Sequence, residues 1–443
     1  MGRSKCGPCG LSVSPEHHAA ARAAETTARR SYGKLVALLA ARSRDIAGAE
    51  DALAEAFAVA LADWPRHGVP AKPEAWLLTV ARRRLVDEVR RRVHDERSAV
   101  QQLLLADEAA EPALYELPDR RLGLLFACAH PAIDAAVRAP LMLQTVLGFD
   151  AAAIASAFLV APTAMGQRLV RAKRRIREAG IALELPATDE LQGRLDAVLD
   201  AIYAAYAEGW LDADGTDARR RNLADEAIWL GRLVAALLPG EPEALGLLAL
   251  MLYTDARRGA RRCEAGHDYV PLAEQDPRRW DAARIDEAEA LLQQASRAGR
   301  MGRFQLEAAV QSAHSVRRFG REVDWAAIEQ LYAVLAALTA SPVVALNHAV
   351  ARAHVHVIEA ALAALDVLHG DARLAEYQPY WAARAELLAR CARREEACVA
   401  YQRAIGLERD PAVRRFLQGL LEEALQDRVE AGGEGAVTQA ARR

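Results

Sequence analysis

The residue types best suited to chemistry in this chain are concentrated in one basic segment, residues 163–179. Met165, Leu169 and Ile176 recur there at helical spacing, which predicts a helix with one apolar stripe. The rest of its surface is covered by Gln167, Arg168, Arg171, Lys173, Arg174, Arg175 and Arg177. A helix of this width fits the major groove of DNA, where Gln and Arg can read base edges while other cations hold phosphates. The segment therefore predicts DNA binding.

Residues 150–180 supply the elements that must position this helix. Ile154, Phe158 and Leu159 give a preceding helix its apolar face, Pro162 interrupts the pattern, and Thr163 can cap the second helix. This arrangement is the helix-turn-helix pattern. The alternative is a solvated basic helix without a ligand. The basic face follows a helix and a corner here, and this context favours DNA binding.

A second patterned stretch lies nearer the N-terminus. Residues 49–64 predict an acidic amphipathic helix, and residues 65–73 predict a loop because they contain a glycine and three prolines. The following helix, residues 74–92, is apolar early and basic late. The formal net charge of −3 therefore conceals basic clusters near residues 82–97 and 168–177.

The whole chain predicts an all-α fold with several domains. A chain of 443 residues is too long to fold around one small core. Of its residues, 52% are hydrophobic and only 5% are aromatic. Ala and Leu dominate, and no stretch shows sustained Val/Ile/Thr alternation. The six cysteines, most of them in helical patterns, give no disulfide framework, and no apolar run reaches the length of a signal peptide or membrane span. We therefore expect a cytoplasmic protein without a membrane partner.

Over residues 29–180 the chain resembles an extracytoplasmic-function sigma factor of bacterial RNA polymerase. AEDALAEAFAVALADWP followed by PEAWLLTVARRRLVDEVRRR is similar to region 2 of that family. LPDRRLGLLFACAHPAID through RLVRAKRRIREAG is similar to region 4. The order and spacing of the two modules are more specific than either motif alone.

The resemblance implies roles for three groups of residues. Region 2 would dock on the polymerase large subunit through Asp51, Glu55 and Phe57. It would recognise and open the promoter −10 element through residues 66–72 with Trp76, Arg82, Arg83, Arg90, Arg91 and Arg92. Region 4 would read the −35 element through base contacts at Thr163, Gln167, Arg168 and Arg171 and phosphate contacts at Lys173, Arg174 and Arg175.

Several of these assignments have a structural alternative. The docking carboxylates could be ordinary solvated groups, and Phe57 could belong to the core. Trp76 sits in an apolar turn, so it is either a core tryptophan or a platform for an unstacked base.

The predicted domain order places the two modules before a long helical extension. We predict a disordered tail at 1–28, a region 2-like module at 29–94, an acidic linker at 95–113, a helix-turn-helix module at 114–181, a helical-repeat domain at 187–425 and a second tail at 426–443. Residues 380–411 look like one tetratricopeptide repeat. The extension resembles that of the long subgroup of these sigma factors, in which it is thought to be regulatory. A repeat groove would bind a protein or peptide partner, or a surface of the same chain.

No pattern in the sequence predicts catalysis, a metal or a cofactor. Cys6 and Cys9 have the spacing of a dithiol motif, but only a short polar leader precedes them. His348, His354 and His356 lack the spacing that two metal ligands on one helix face require. Neither a phosphate-binding glycine loop nor a nucleophile elbow is found, so we do not expect an enzyme.

The preferred interpretation is a sigma factor whose partners are core RNA polymerase and promoter DNA. One alternative is a helix-turn-helix transcriptional regulator with a helical-repeat sensor domain, which acts without replacing sigma. Another is a repeat scaffold whose basic helices are only solvated surface. The region 2-like segment separates these hypotheses, because a simple repressor has no use for it.

Overall fold

The computed structural model describes residues 15–92, 120–158, 160–210, 218–263 and 268–440. Within these ranges the regular structure is helical, apart from one isolated β-bridge between Arg262 and Tyr269. The prediction of an all-α fold is therefore confirmed. The predicted acidic linker at 95–113 and the Cys6–Cys9 pair lie outside the described residues.

The chain divides into two compact units. The first comprises Met1–Gly209 with Asp217–Glu226, and the second comprises Trp210–Thr216 with Ala227–Arg443. The first unit thus extends beyond the predicted helix-turn-helix module, which ends at residue 181.

The first unit begins with three helices that pack against one another: α1 (Pro15–Ser43), α2 (Ile46–His67) and α3 (Pro73–Arg92). Leu35, Leu53 and Leu77 form part of their fully buried core. Asp45 caps α2, since its side chain accepts a hydrogen bond from the backbone N–H of Gly48 at 3.2 Å. These helices position the region 2-like residues.

The first helix begins earlier than the sequence predicts. We expected a disordered tail over residues 1–28, but α1 is helical from Pro15. Ala20, Ala24 and Thr27 are buried, so this part of the helix packs instead of being solvated. The predicted C-terminal tail at 426–443 is likewise helical as far as Ala440. Each residue added to an existing helix gains a backbone hydrogen bond without a new nucleation step.

Four further helices of the first unit lead to the basic segment: α4 (Arg121–Cys128), α5 (Ala135–Leu147), α6 (Ala151–Ala157) and α7 (Pro162–Glu178). Gly148 ends α5 with a left-handed backbone, at φ 75°. Asp150 then accepts a hydrogen bond from the backbone N–H of Ala153 at 2.7 Å, which starts α6. Helix α6 packs against α7 across a short connection.

Helices α8 (Thr188–Trp210) and α9 (Ala218–Leu237) span the division between the two units. The second unit continues with α10 (Pro242–Asp255), against which α11 (Ala282–Ser296) and α12 (Arg303–Ser315) pack. Helix α10 is buried on nearly every side. The carboxylate of Asp255 at its end is fully buried and forms ion pairs with Arg258 and Arg284.

Consecutive helices pack in pairs through the rest of the second unit. They are α13 (Trp325–Thr339), α14 (Pro342–Val355), α15 (Ile358–Val367), α16 (Gln378–Arg390), α17 (Arg394–Leu407) and α18 (Pro411–Ala440). Leu365, Tyr380 and Tyr401 lie in their shared core. Over the part of the chain that the structure describes, we find no helix with the length and apolar character needed to span a membrane.

Candidate nucleic-acid interface

Helix α7 buries the apolar stripe that its sequence predicts. Met165, Leu169, Ala172 and Ile176 are each at most 7% exposed, and they hold the helix against the first unit. Its N-terminus differs from the prediction that Thr163 is the cap. Ala161 occupies the cap position and Pro162 the first turn, where its fixed φ and missing N–H suit the start of a helix. Thr163 is free to face solvent instead, and it is exposed.

The side of α7 opposite this stripe carries most of the predicted base contacts. Residues advance by about 100° around a helix, which places Gln167 and Arg174, two turns apart, almost opposite the buried stripe. All of the following residues on this side are exposed, and we call them the reading face: Thr163, Gln167, Val170, Arg171 and Arg174. Arg168 and Arg175 are exposed along one flank of it. The structure therefore groups hydroxyl, amide and guanidinium donors on one accessible surface.

Val170 is a reading-face residue that the sequence interpretation missed. Its side chain is 66% exposed, although valine is apolar. It lies three residues after Gln167 and four before Arg174, and so falls outside the period of the buried stripe. That mismatch is the sequence signal that could have identified it. An exposed apolar side chain among hydrogen-bond donors suits the 5-methyl group of thymine in the major groove.

The other flank of α7 faces α2. The Lys173 ammonium donates a hydrogen bond to Oε2 of Glu50, and the two side chains are only 10% and 13% exposed. Further along the helix, the Arg177 guanidinium donates to Oδ2 of Asp45 at 3.1 Å. The sequence assigned Lys173 to a phosphate, whereas this structure pairs it with a carboxylate from the region 2-like module.

The carboxyl group of Glu50 is incompletely paired. Burial raises its pKa above the usual range, and the neighbouring Lys173 ammonium opposes part of that rise. Its second oxygen, Oε1, is buried without a hydrogen-bond partner among the described residues. A buried ion pair of this kind gains little net stability, because the cost of desolvation offsets the attraction.

The predicted docking residues lie on α2. Asp51 and Glu55 are exposed and one turn apart, and Phe57 is half-buried. Oε2 of Glu55 lies 3.2 Å from Nε of Arg84, and both side chains remain about half exposed. An exposed ion pair contributes at most about 1 kcal/mol, so it leaves Glu55 accessible to a partner.

The predicted −10 residues lie at the end of α2, in the loop after it and on α3. The ring of Trp76 is half-buried and packs edge-to-face on the buried Trp64, with centroids 5.6 Å apart. It therefore contributes to the core while keeping an accessible part. Arg83 is exposed and Arg82 half-buried. Arg90, Arg91 and Arg92 belong to the end of α3, and their side chains lie outside the described residues.

Cys128 of the first unit is not suited to redox or metal chemistry. Cys128 is fully buried at the end of α4, and its Sγ lies 3.3 Å from Oγ1 of Thr145. Burial raises the pKa of the thiol to about 12, so it stays protonated and unreactive. Among the described residues there is no group of three or more His, Cys, Asp or Glu side chains that could hold a metal ion.

Comparisons with known proteins agree with the placement of the first module. Residues 28–94 match the model of sigma-70 region 2, and residues 194–296 match a family of unknown function, DUF6596. An uncharacterized protein of Rhizobium meliloti (strain 1021) is 38% identical over 385 residues, which cover 86% of this chain and 90% of the relative. No solved structure matches the chain. The chain therefore belongs to one family with the Rhizobium meliloti protein, and its region 2 domain makes it a sigma-70 family sigma factor that binds RNA polymerase.

Proposed function

We propose that this chain is a sigma factor of the extracytoplasmic-function type that directs core RNA polymerase to a promoter and starts transcription there. The observation that carries the proposal is the sigma-70 region 2 match at residues 28–94, in the same compact unit as the basic helix α7. A helix-turn-helix regulator that acts without polymerase would need the basic helix α7 but not a region 2 domain. The match therefore favours the sigma proposal.

In this proposal α6 and α7 form a helix-turn-helix that reads the −35 element. Gln167 and Arg171 lie on the reading face, and both side-chain types can form paired hydrogen bonds with purine edges. Each good base contact contributes about 1–3 kcal/mol of discrimination. Arg168 extends these contacts along the flank, and Arg174 and Arg175 bind phosphates, which fix the register without reading the sequence.

The region 2 domain carries the −10 function in this proposal. Arg66, Lys72 and Arg83 are exposed at the end of α2, in the loop and on α3, where cations can hold displaced phosphates. The accessible part of Trp76 can stack on an unpaired base, while its packing on Trp64 fixes the ring. Asp51, Glu55 and Phe57 on α2 bind the polymerase.

The helical extension is assigned a regulatory role. Its paired helices, including α16 with α17, resemble a tetratricopeptide array, and such arrays bind proteins or peptides on a concave surface. The extension would then control when the sigma modules engage polymerase.

Run-off transcription tests the proposal. The full chain is combined with bacterial core RNA polymerase and a library of genomic fragments, and specific initiation that depends on the chain is expected. Replacing Arg168 and Arg171 together with Ala should abolish that initiation. Arg297→Ala is the matched control, because Arg297 is also an exposed arginine but lies in the second unit.

Two results would contradict the proposal. If the chain does not associate with core polymerase but binds specific duplexes alone, the regulator is the better description. If it binds neither polymerase nor specific DNA, the basic helices are only solvated surface.

A further inference from the structure

A short antiparallel element of the second unit lies between α10 and α11 in the sequence. Residues 261–263 run alongside residues 268–270, with backbone hydrogen bonds of 2.8 and 3.2 Å on either side of the bridge between Arg262 and Tyr269. We call these residues the clasp. Because the clasp belongs to neither helix, its side chains can contact elements that are distant in the sequence.

Two ion pairs of opposite polarity join the clasp to the start of α18. The Arg262 guanidinium donates to Oδ2 of Asp410 at 2.5 Å, and these two side chains are only 14% and 16% exposed. The charges are reversed in the second pair, where Asp268 of the clasp lies 3.3 Å from the guanidinium of Arg415 and both side chains are exposed. The start of α18 therefore offers one anion and one cation at fixed positions, and only a segment with the complementary pattern matches both.

An aromatic contact accompanies these ion pairs. The ring of Tyr269 packs edge-to-face on Phe416 of α18, with centroids 5.5 Å apart. The Arg261 guanidinium lies 5.9 Å from the centroid of the Tyr269 ring, and it also lies over the ring of Trp210 at 4.7 Å. An aromatic anchor with charged pairs beside it is typical of the residues that dominate the binding energy of protein interfaces.

The clasp meets α18 as a segment of another protein would. The paired residues are 147 or 148 positions apart in the sequence, so no local turn creates the contact. Among the described residues, no backbone hydrogen bond joins the clasp to α18, and side chains hold it there. A short segment held by its side chains is what a peptide-binding surface recognises.

The carboxyl group of Asp410 makes this surface selective for a cation. Burial would raise its pKa, but hydrogen bonds from Arg262 and from the backbone N–H of Ala412 hold the pKa below its usual value. The group is therefore ionised at neutral pH. A covered carboxylate of this kind must be paired, so any segment that replaces the clasp has to supply a cation in the place of Arg262.

We propose that the start of α18 is a peptide-binding site which the clasp occupies as an internal ligand. The external partner is a protein segment that carries an arginine and an aspartate–tyrosine pair in the arrangement that the clasp shows. The inference rests on the proposed regulatory role of the helical extension, and it names the chemistry of the partner. The partner replaces the clasp contact for contact, so the site exchanges one ligand for another.

A peptide supplied in trans tests the site. The probe is a fluorescent peptide with the sequence of residues 260–271 and the change Cys263→Ser, and the receptor is the full chain. Tyr269→Ala in the full chain should weaken the clasp by removing its aromatic anchor. A tethered ligand competes at an effective concentration of about 1 mM, so a peptide with a Kd of about 0.1 mM should bind this variant about tenfold more tightly than it binds the wild type.

Fluorescence anisotropy measures both affinities. Equal binding to the two chains, or no binding to a folded Tyr269→Ala chain, would overturn the proposal. Should circular dichroism show that Tyr269→Ala loses helix content, a charge swap between Asp268 and Arg415 decides instead.

The charge swap separates recognition from a loss of stability. Arg415→Glu repels Asp268 of the clasp at an exposed position, so the chain should keep its fold. The peptide with Asp268→Lys should bind Arg415→Glu about tenfold more tightly than it binds the wild type, because the clasp no longer competes and the charges are complementary again. Arg409→Glu is the matched control, since it makes the same charge change at an exposed residue next to Asp410. An equal gain in Arg409→Glu, or no gain in Arg415→Glu, would contradict the proposed site.

Failure of this inference is distinguishable from failure of the proposed function. The peptide measurements contain neither polymerase nor DNA. A chain that does not initiate run-off transcription can still bind the peptide, and a chain that initiates it can leave the peptide unbound.

Discussion

The exposed Val170 on α7 gives the sharpest prediction for DNA recognition. If α7 enters the major groove, this side chain must leave water and contact a base, and thymine offers the matching methyl group. Val170→Ala removes two methyl groups, each worth about 0.8 kcal/mol when fully buried. Because Val170 would contact DNA on one side only, about half of this burial free energy applies. We therefore expect a loss of about 0.8 kcal/mol of binding free energy, or roughly a fourfold rise in Kd.

Deoxyuridine provides a matched change on the DNA, because it lacks only the 5-methyl group of thymine. Fluorescence anisotropy should be measured for the wild type and Val170→Ala on promoter duplexes, with each −35 thymine replaced in turn. At one position the two changes should be non-additive: Val170→Ala should lose affinity for the thymine duplex and almost none for the uracil duplex. Val367→Ala is the control variant, since Val367 is 84% exposed in the second unit.

The reasoning would be refuted by additivity at every thymine. In that case Val170 would influence binding through the helix itself and not through a methyl contact. Unchanged affinity of Val170→Ala on all duplexes would equally show that the Val170 side chain does not contact a base.

Other residues of the first unit give further predictions. Arg174→Ala should weaken binding to all duplexes together and reduce the slope of log Kd against log salt by about one, as measured by anisotropy across a salt series. Gly123→Ala should destabilise the chain by about 1–3 kcal/mol in urea unfolding, because its Cβ would lie 2.6 Å from the backbone oxygen of Leu183. Gly166→Ala, inside α7, is the counterpart. Its added Cβ would meet no atom within 4 Å, so the change should raise the free energy of unfolding by up to about 1 kcal/mol. Cys128 should resist alkylation at pH 8 unless urea is present. Since its thiol pKa rises from 9.0 to about 12 on folding, it should add stability below pH 9 that is lost as the pH rises toward 12, which pH-dependent unfolding would show.

Local sequence patterns predicted the parts of this fold that depend on periodicity. The stripe of Met165, Leu169 and Ile176 is buried as expected, and the nearly all-apolar residues 245–253 lie in a buried helix. Both follow from the helical repeat, in which apolar residues on one face must find a core. The all-α class follows from the same periodicity applied to the whole chain.

Predictions at helix ends were less successful, because the signals there are weak. Thr163 is a good capping residue, but Pro162 before it is a still better first residue of a helix, and this preference moved the cap to Ala161. At the N-terminus, small residues such as Ala20 and Ala24 gave little hydrophobic signal, although they are buried in the structure.

The Glu50–Lys173 pair could not have been predicted from the sequence at all. Charge pairs within one helix follow a fixed spacing, but a pair between distant helices depends on how the modules pack. Until the structure places α2 beside α7, Lys173 is indistinguishable from Arg174 or Arg175.

The nearly complete burial of α10 limits how the second unit can be shortened. A helix that is apolar on all sides has no solvated face, so its exposure would cause aggregation instead of leaving a stable helix. Its end adds a carboxylate, Asp255, that is tolerable only while Arg258 and Arg284 neutralise it, and Arg284 lies on α11. Deletions that remove α11 or α12 should therefore unfold α10 as well. Trimming the chain ahead of α10 should do the same, because α9 packs on it so closely that an added Cβ on Gly231 would lie 2.6 Å from Cε of Met251. Helices α10, α11 and α12 should therefore be transplanted together with the end of α9, where Arg232 also pairs with Glu287 of α11.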